Sequence, residues 1–164
     1  WKTEGNDWPH ELPAHEQDFY LTWTDAGRQR AWSRPWNVVP RKDYSHFIQA
    51  AVGTPIADDQ LAEVGCTYAV RGFDFDYIGL LWLRDLNWVD GVWAVDFDHV
   101  CETGLTRTLK SATRRRNPSP EAREEVLERV KQAYRILLTR AIKGVFVWCE
   151  DPATAAHLRS VSSI

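Results

Sequence analysis

Apolar residues recur at helical spacing in one long segment of the C-terminal half of the chain. The residues that share this face are Leu127, Val130, Tyr134, Leu137, Leu138 and Ala141. Ser119 is a suitable N-cap, and Pro120 fits the first helical position, where a missing N–H costs nothing. Lys143-Gly144 predicts the end of the helix, because a cation and a glycine both favour a helix C-terminus. The pattern therefore predicts one long amphipathic helix between these signals.

Three continuous apolar runs predict buried strands. They are EVGCTYAV at residues 63–70, YIGLLWL at 77–83 and VFVWC at 145–149. A continuous apolar run, unlike an alternating one, is typical of a strand that is covered on both faces. A further helix is predicted over residues 151–161, beginning at Asp151-Pro152. This order of elements predicts an α/β fold with a mainly parallel β-sheet and helices on both of its faces.

The remaining segments show weaker patterns. Residues 1–40 are rich in Trp, Pro and His and predict irregular structure, apart from a strand at DFYLTW, residues 18–23. Residues 43–52 predict a short helix. Residues 84–119 predict mostly irregular structure, with a hairpin around Asp90-Gly91. We expect residues 1–164 to form a single domain, since this is an ordinary domain size.

Composition narrows the class of protein. Apolar residues make up 44% and charged residues 26% of the chain, which is typical of a globular domain. No apolar run approaches the ~18 residues that span a bilayer, so no membrane partner is expected. The chain contains no Met, and we expect it to be part of a longer protein. Three Cys without a CxxC spacing argue against disulfides or zinc and favour a cytoplasmic location.

Charge is distributed unevenly along the chain. Residues 58–102 contain ten acids and two bases, whereas residues 105–119 contain five bases and no acid. The basic segment suits contact with a polyanion, although a solvated surface loop would have the same composition. Residues 28–36 interleave arginines with tryptophans. Such a segment either stacks nucleic-acid bases or covers the edge of a core.

Two loops are candidates for chemistry, because ligands of parallel sheets collect where strands end. The first loop covers residues 71–76, after the predicted strand at 63–70, and the second covers residues 138–141. In the second loop, Arg140 either binds a phosphate or complements the helix dipole. In the first loop, Gly72 allows a ligand to approach the backbone closely. Asp74 and Asp76 either bind a metal ion or ribose hydroxyls, or they form the solvent-exposed face of a strand.

Two segments resemble helicase motifs. VGCTYAVRGFDFDYIGLLW is similar to motif V of superfamily 1 helicases, and YRILLTRAIKGVFVW is similar to motif VI, with its Thr-Arg-Ala core. With RPWN upstream, and in this order, they resemble the Schlafen-type family of DNA/RNA helicases, which are superfamily 1-like P-loop NTPases. The resemblance runs from about Trp32 to Asp151. It implies that the chain is a RecA-like domain 2, the second of two motor domains.

The resemblance also implies roles for individual residues on the nucleotide side. Arg140 matches the motif VI arginine that reaches the γ-phosphate across the interdomain cleft, and it would be the catalytic arginine finger. Gly72 and Asp74 match the glycine and the acid of motif V, which face the nucleotide. Thr139, in the Thr-Arg-Ala core, would be a further nucleotide-facing residue.

On the nucleic-acid side the match is looser. Tyr68 stands where the family usually has histidine, and Arg71 stands where it has Lys or Gln, so these two contacts differ in chemistry from the family pattern. The basic segment adds Arg114, Arg115 and Arg116 as candidate contacts. The implied partner is DNA or RNA, in single-stranded form.

The chain lacks the phosphate-binding loop GxxxxGK[ST]. The resemblance therefore implies that ATP and Mg²⁺ are bound with a preceding RecA-like domain of the same protein, and that this chain alone is inactive. Two alternatives remain open at this stage. One is a non-catalytic nucleic-acid-binding module that uses residues 28–36 and 105–119, and the other is a magnesium-dependent nuclease centred on Asp74 and Asp76.

Overall fold

The computed structural model describes residues 9–38, 52, 55–70 and 74–162, except for the side chains of residues 68, 69 and 103. The chain divides into two compact units, Trp1–Gly72 and Phe73–Ile164. Among the described helices, none combines the length and the apolar character that a membrane crossing requires.

A β-hairpin is the main element of the first unit. Strands Phe19–Asp25 (β1) and Arg28–Arg34 (β2) pair antiparallel, from Phe19 opposite Arg34 to Asp25 opposite Arg28. Ala26 and Gly27 form the two-residue turn, with φ of 46° and 76°, as in the turns that match the twist of paired strands. The strand predicted at residues 18–23 is confirmed. The second strand is an unexpected regular element within the first forty residues.

Short elements complete the first unit. They are two 3₁₀ turns, Pro9–Glu11 and Ala14–Glu16, and two single-turn helices, Pro55–Asp58 (α1) and Thr67–Val70 (α2). Trp36 and Val64 form one isolated parallel bridge. The strand predicted at residues 63–70 is therefore wrong, since a short apolar run has the same composition in a strand and in a buried helix turn. The helix predicted at 43–52 lies, apart from Val52, outside the described residues.

Polar contacts fix the base of the hairpin. The Arg34 Nε donates to the Leu61 carbonyl at 2.6 Å, and its Nη2 pairs with the Asp59 carboxylate at 2.9 Å. The Gln17 amide donates to the carbonyls of Pro9 and Leu12 at 2.7 and 3.0 Å. Gln17 is buried, and these bonds satisfy the donors of its amide, whereas its Oε1 has no partner among the described residues.

Glu63 is a carboxyl with a displaced pKa in this unit. Burial raises its pKa to about 7, although the Val38 N–H, which donates to its Oε2 at 2.8 Å, opposes the shift. A pKa that is higher in the folded state stabilises the fold below the unfolded pKa. That stability is lost as the pH rises through the folded value.

We therefore expect the free energy of unfolding to fall as the pH rises from 4.5 to about 7, and we expect Glu63→Gln to flatten this dependence. Glutamine keeps a carbonyl oxygen that can accept the Val38 N–H while removing the ionisable group. Denaturant unfolding at a series of pH values measures the effect, and carbon-13 NMR titration of the Glu63 carboxyl measures the pKa directly. A titration midpoint near 4.5 would contradict the prediction.

The second unit contains strands and helices in the order β-β-β-α-α-β-α. They are Phe75–Trp82 (β3), Leu86–Val89 (β4), Val92–Val95 (β5), Thr106–Ala112 (α3), Pro120–Leu138 (α4), Ala141–Cys149 (β6) and Pro152–Ser162 (α5). Strands β3 and β6 pair parallel, and β4 and β5 form an antiparallel hairpin. This confirms the mixed α/β class. The described strands form three two-stranded sheets, of which only the β3–β6 pair is parallel, so the described sheets are compatible with a RecA-like fold only in part.

Two local predictions in this unit are confirmed and one is wrong. The β4–β5 hairpin turns at Asp90-Gly91, where both residues have positive φ, of 51° and 84°. Helix α5 begins directly after Asp151, as predicted. Residues 84–119 are less irregular than predicted, because α3 packs against α4 with Ala112 fully buried.

Helix α4 begins where the sequence predicts. The Ser119 Oγ accepts the Ala122 N–H at 3.1 Å, and Pro120 is the first helical residue. Val126, Val130 and Tyr134, spaced four residues apart, are buried against the core. Spacing of this kind places side chains on one helix face, which explains why this helix forms and packs.

The end of α4 differs from the prediction. The helix ends at Leu138, whereas Lys143 and Gly144 lie inside β6. The Thr139 hydroxyl donates to the carbonyls of Arg135 and Ile136, at 3.0 and 3.1 Å. These bonds satisfy carbonyls of the last turn, so the helix ends without a glycine.

Aromatic stacking dominates the core of the second unit. Trp82, which is 3% exposed, stacks on Tyr134 with ring centroids 4.0 Å apart and on Trp93 at 5.4 Å. Its indole Nε1 donates to the Leu86 carbonyl at 2.7 Å. The Tyr134 hydroxyl donates to the Asp85 carboxylate at 2.6 Å. The indole N–H of Trp82 and the hydroxyl of Tyr134 therefore both have hydrogen-bond partners.

Candidate functional site

The parallel pairing of β3 and β6 brings two candidate residues to one edge of the sheet. Asp74 directly precedes β3, and Arg140 directly precedes β6. The Phe75 N–H donates to the Arg140 carbonyl at 3.4 Å, and Phe75 and Ala141 are Cα partners in the ladder. The backbones of Asp74 and Arg140 thus lie side by side at the point where the two strands begin.

This edge is not the one that the sequence indicates. Ligands of parallel sheets collect at the carboxyl ends of the strands, and residues 71–76 are predicted to follow a strand. That prediction is wrong because residues 67–70 form helix α2 and because β3 begins at Phe75. Asp74 and Arg140 lie at the amino ends of β3 and β6.

Arg140 occupies the short connection between a helix and a strand. Its backbone N–H donates to the Leu137 carbonyl at 3.3 Å, and its backbone carbonyl accepts the N–H of Phe75 in β3. The Nε atom is buried and has no hydrogen-bond partner among the described residues, and within them the guanidinium forms no ion pair. A buried N–H without a partner costs about 1–3 kcal/mol. The backbone of Arg140 is therefore fixed while its guanidinium keeps the capacity to bind an anion.

Thr139 uses its hydroxyl proton within the protein. The hydroxyl donates to the carbonyls of Arg135 and Ile136, so it has no proton left to donate to a phosphate. A hydroxyl has only one proton, and the remaining lone pairs are acceptors. In this arrangement Thr139 closes the helix directly before Arg140.

The two candidate carboxylates of the motif V-like segment differ in their surroundings. The Asp76 carboxylate pairs with the Lys143 ammonium at 2.7 Å across β3 and β6, and both side chains are more than half exposed. Asp74 is exposed. Within the part of the chain that the structure describes, no group of three His, Cys, Asp or Glu residues is placed to hold a metal ion.

Three candidate residues cannot be assigned a geometry. Arg71 and Gly72 lie outside the described residues, and Tyr68 belongs to helix α2 while its side chain is outside them. Their roles therefore stay predictions.

The arginine triplet Arg114, Arg115 and Arg116 lies in the connection between α3 and α4. All three side chains are exposed, and none forms an ion pair with a described residue. The triplet precedes the first turn of α4, whereas Arg140 follows its last turn. Since α4 has 19 residues and a helix rises 1.5 Å per residue, roughly 28 Å of helix separates the two. They form two distinct candidate surfaces.

The comparison with known families decides the class of protein. Residues 5–151 match the family model of the Schlafen group 3, DNA/RNA helicase domain. The chain belongs to this family. Neither curated proteins nor solved structures give a match. The predicted Schlafen-type family is confirmed, and with it a helicase-like domain that interacts with nucleic acid.

One feature of this Schlafen group 3 helicase domain escaped the sequence reasoning. A groove of about 470 Å³ runs beside the C-terminal half of α4, between the aromatic pair Trp82 and Trp93 and three residues on the other side, Lys131 and Arg135 of α4 and Thr139, which caps it. These three residues are four apart and so lie on one side of the helix and its cap. That spacing was visible in the sequence, but the aromatic wall of the groove depends on packing between distant segments. Lys131 pairs with Glu128, which also lines the groove, whereas Arg135 is exposed and has no ion pair among the described residues, so Arg135 adds positive charge beside the Arg140 edge.

Proposed function

We propose that this chain is the second motor domain of an ATP-dependent DNA or RNA helicase or translocase. In this role Arg140 is the arginine finger for a nucleotide bound by another RecA-like domain of the same protein. One observation carries the proposal: the hydrogen bond from Phe75 to Arg140 brings the motif V-like acid and the motif VI-like arginine to the same edge of the sheet. Membership of the Schlafen group 3 family supports it.

The chemistry of Arg140 suits phosphoryl transfer. Charge accumulates on the oxygens of the transferred phosphoryl group in the transition state, and a planar guanidinium stabilises it with two parallel hydrogen bonds. The backbone of Arg140 is held between α4 and β6, so little conformational freedom is lost on contact with the phosphate. Asp74, at the adjacent strand start, would link nucleotide state to the nucleic-acid path.

The chain contributes to the ATP site only in part. It lacks GxxxxGK[ST], so neither the backbone cradle for the phosphates nor the hydroxyl ligand for Mg²⁺ is present in its sequence. Bound ATP supplies the free energy for the motor. Gly72, Asp74 and Thr139 would face it from this side of the cleft, and Arg140 would contact the γ-phosphate. Measurement of ATP turnover by the intact two-domain protein, with and without the Arg140 guanidinium, tests this assignment.

We further propose that the arginine triplet contacts single-stranded nucleic acid. Tyr68 and Arg71, which belong to the first unit, keep the separate nucleic-acid roles that the family resemblance implies. Replacing Arg114, Arg115 and Arg116 with alanine is expected to weaken binding of a single-stranded oligonucleotide at low salt. The slope of log K against log salt should become shallower by about 2, since each phosphate contact on a single strand contributes about 0.7. Fluorescence anisotropy at several salt concentrations measures both quantities.

Arg129→Ala is the control for this experiment. Arg129 lies on α4, is 68% exposed and makes only a weak contact with Glu125, at 3.9 Å. Its loss should leave the salt slope unchanged. An identical slope in the triplet variant and the parent chain would rule out the triplet as a phosphate contact.

A further inference from the structure

The hairpin β1–β2 has two chemically different faces. Residues directly opposite each other in an antiparallel pair point to the same side, and the pairs are Leu21 with Trp32, Trp23 with Arg30 and Asp25 with Arg28. The pair Phe19 with Arg34 lies on the same side, so this face carries two indole rings and three guanidinium groups, of which Arg34 is bound at the base of the hairpin. The other face carries Tyr20, Thr22, Thr24, Gln29, Ala31 and Ser33.

The indoles and guanidinium groups of the first face are accessible toward the turn. Trp23 is 41% exposed, and Arg28 and Arg30 are exposed as well. Trp32 is half-buried and has the Arg34 guanidinium 5.4 Å from its ring centroid. Phe19, at the opposite end of β1, is buried and anchors the strand. The hairpin is thus anchored at the Phe19 end, and its aromatic and cationic side chains are exposed to solvent at the turn end.

Charge on this hairpin favours an anionic partner. Its strands contain three arginines and one acid, Asp25. Asp25 pairs with Arg30 at 3.4 Å, but both side chains are more than half exposed, so this contact is weak. Arg28 forms no ion pair with any described residue. A polyanion would therefore gain contacts without breaking a strong internal pair.

We propose that Trp23, Trp32, Arg28 and Arg30, here called the hairpin face, bind single-stranded DNA or RNA. Unpaired bases stack on the flat indoles and on guanidinium planes, while the arginines also contact the phosphates. An acidic peptide would contact the arginines but leave the indole rings exposed to solvent. An apolar partner would bury the charged guanidinium groups without providing an anion. Single-stranded nucleic acid uses both kinds of group. The hairpin face is separate in sequence from the Arg140 edge, and its binding needs no ATP.

The test uses the full 164-residue chain without nucleotide and labelled oligonucleotides of about 15 nucleotides, oligo-dT and oligo-U, at low salt. Trp23→Ala and Trp32→Ala are each expected to raise Kd by about 5- to 100-fold, the usual effect of losing one base stack. Trp23→Phe, which keeps a ring, should retain most of the affinity. Arg28→Ala with Arg30→Ala should make the salt slope shallower by about 1.4.

Tyr20→Ala is the matched control, because Tyr20 is an aromatic residue of similar exposure, 48%, on the opposite face of the same strand. Its Kd should equal that of the parent chain. Circular dichroism checks folding, and Trp23→Ala keeps the test valid if Trp32→Ala unfolds, since Trp23 is exposed.

Three results would overturn the proposal. They are the absence of oligonucleotide binding at low salt, an unchanged Kd in Trp23→Ala, and competition by a polyglutamate peptide as strong as competition by unlabelled oligo-dT. Loss of ATP turnover in the Arg140 variant bears only on the motor role, so the two proposals fail independently.

Discussion

Arg140→Ala in the intact protein is expected to reduce ATP turnover by about 10³- to 10⁵-fold, equivalent to roughly 4–7 kcal/mol of transition-state stabilisation. The effect should be large because the Nε of Arg140 has no hydrogen-bond partner among the described residues, and its guanidinium no ion pair. Charge that develops in the transition state would therefore lose its main cationic contact from this domain. Nucleotide binding should change little, since other residues hold the ground-state phosphates.

Steady-state hydrolysis, with nucleic acid present, gives kcat for this variant, and a fluorescent ATP analogue gives its Kd. Arg140→Lys should restore only part of the rate, because an ammonium lacks the planar, two-pronged geometry of a guanidinium. Arg129→Ala, on the exposed face of α4, controls for the loss of an arginine. Turnover in Arg140→Ala within about twofold of the parent protein would leave Arg140 as a complement to the helix dipole and would refute the finger assignment.

Trp82→Ala is expected to destabilise the second unit by about 3–5 kcal/mol. Trp82 is 3% exposed and stacks on both Tyr134 and Trp93, so its removal leaves a large cavity. The change also removes the indole N–H that donates to the Leu86 carbonyl at 2.7 Å. A loss of this size is a substantial part of the roughly 5–15 kcal/mol that stabilises a typical domain.

Denaturant unfolding followed by circular dichroism measures the change in unfolding free energy. Trp82→Phe should cost less, since it keeps a ring for stacking and loses only the indole N–H and some volume. Trp23→Ala removes the same side chain from an exposed site, and its expected cost is about 0.5 kcal/mol or less. Equal costs for Trp82→Ala and Trp23→Ala would contradict the packing described for the core.

Local signals predicted local structure well. Ser119 and Pro120 mark the start of α4, and Val130 and Tyr134 of the predicted apolar face are buried, because capping and amphipathicity depend on neighbours in the sequence. Val126 is buried without having been predicted, and Ala141, predicted on the same face, belongs to β6. The Asp90-Gly91 turn was predictable for the same reason: two residues with positive φ determine a tight hairpin. The mixed α/β class follows from these elements together.

Features that depend on distant pairing were not predictable. Residues 63–70 have the composition of a strand, yet the described pairing gives them only the bridge at Val64, and residues 67–70 form a helix turn. Asp74 and Arg140 come together because β3 and β6 pair in parallel, which places the amino ends of the two strands side by side. The sequence therefore indicated the candidate residues and the family, but not the end of the sheet at which Asp74 and Arg140 meet.

Helix α4 is the one element that has a candidate site at each end, the arginine triplet before its first turn and Arg140 after its last. A capped helix that packs along its length resists bending, so a tilt imposed at one terminus reaches the other as a rigid displacement. If the triplet binds a nucleic-acid strand, and if Arg140 contacts the nucleotide as proposed, tension in that strand would displace the Arg140 guanidinium. Tension on the nucleic acid would then regulate the rate of ATP hydrolysis through helix α4.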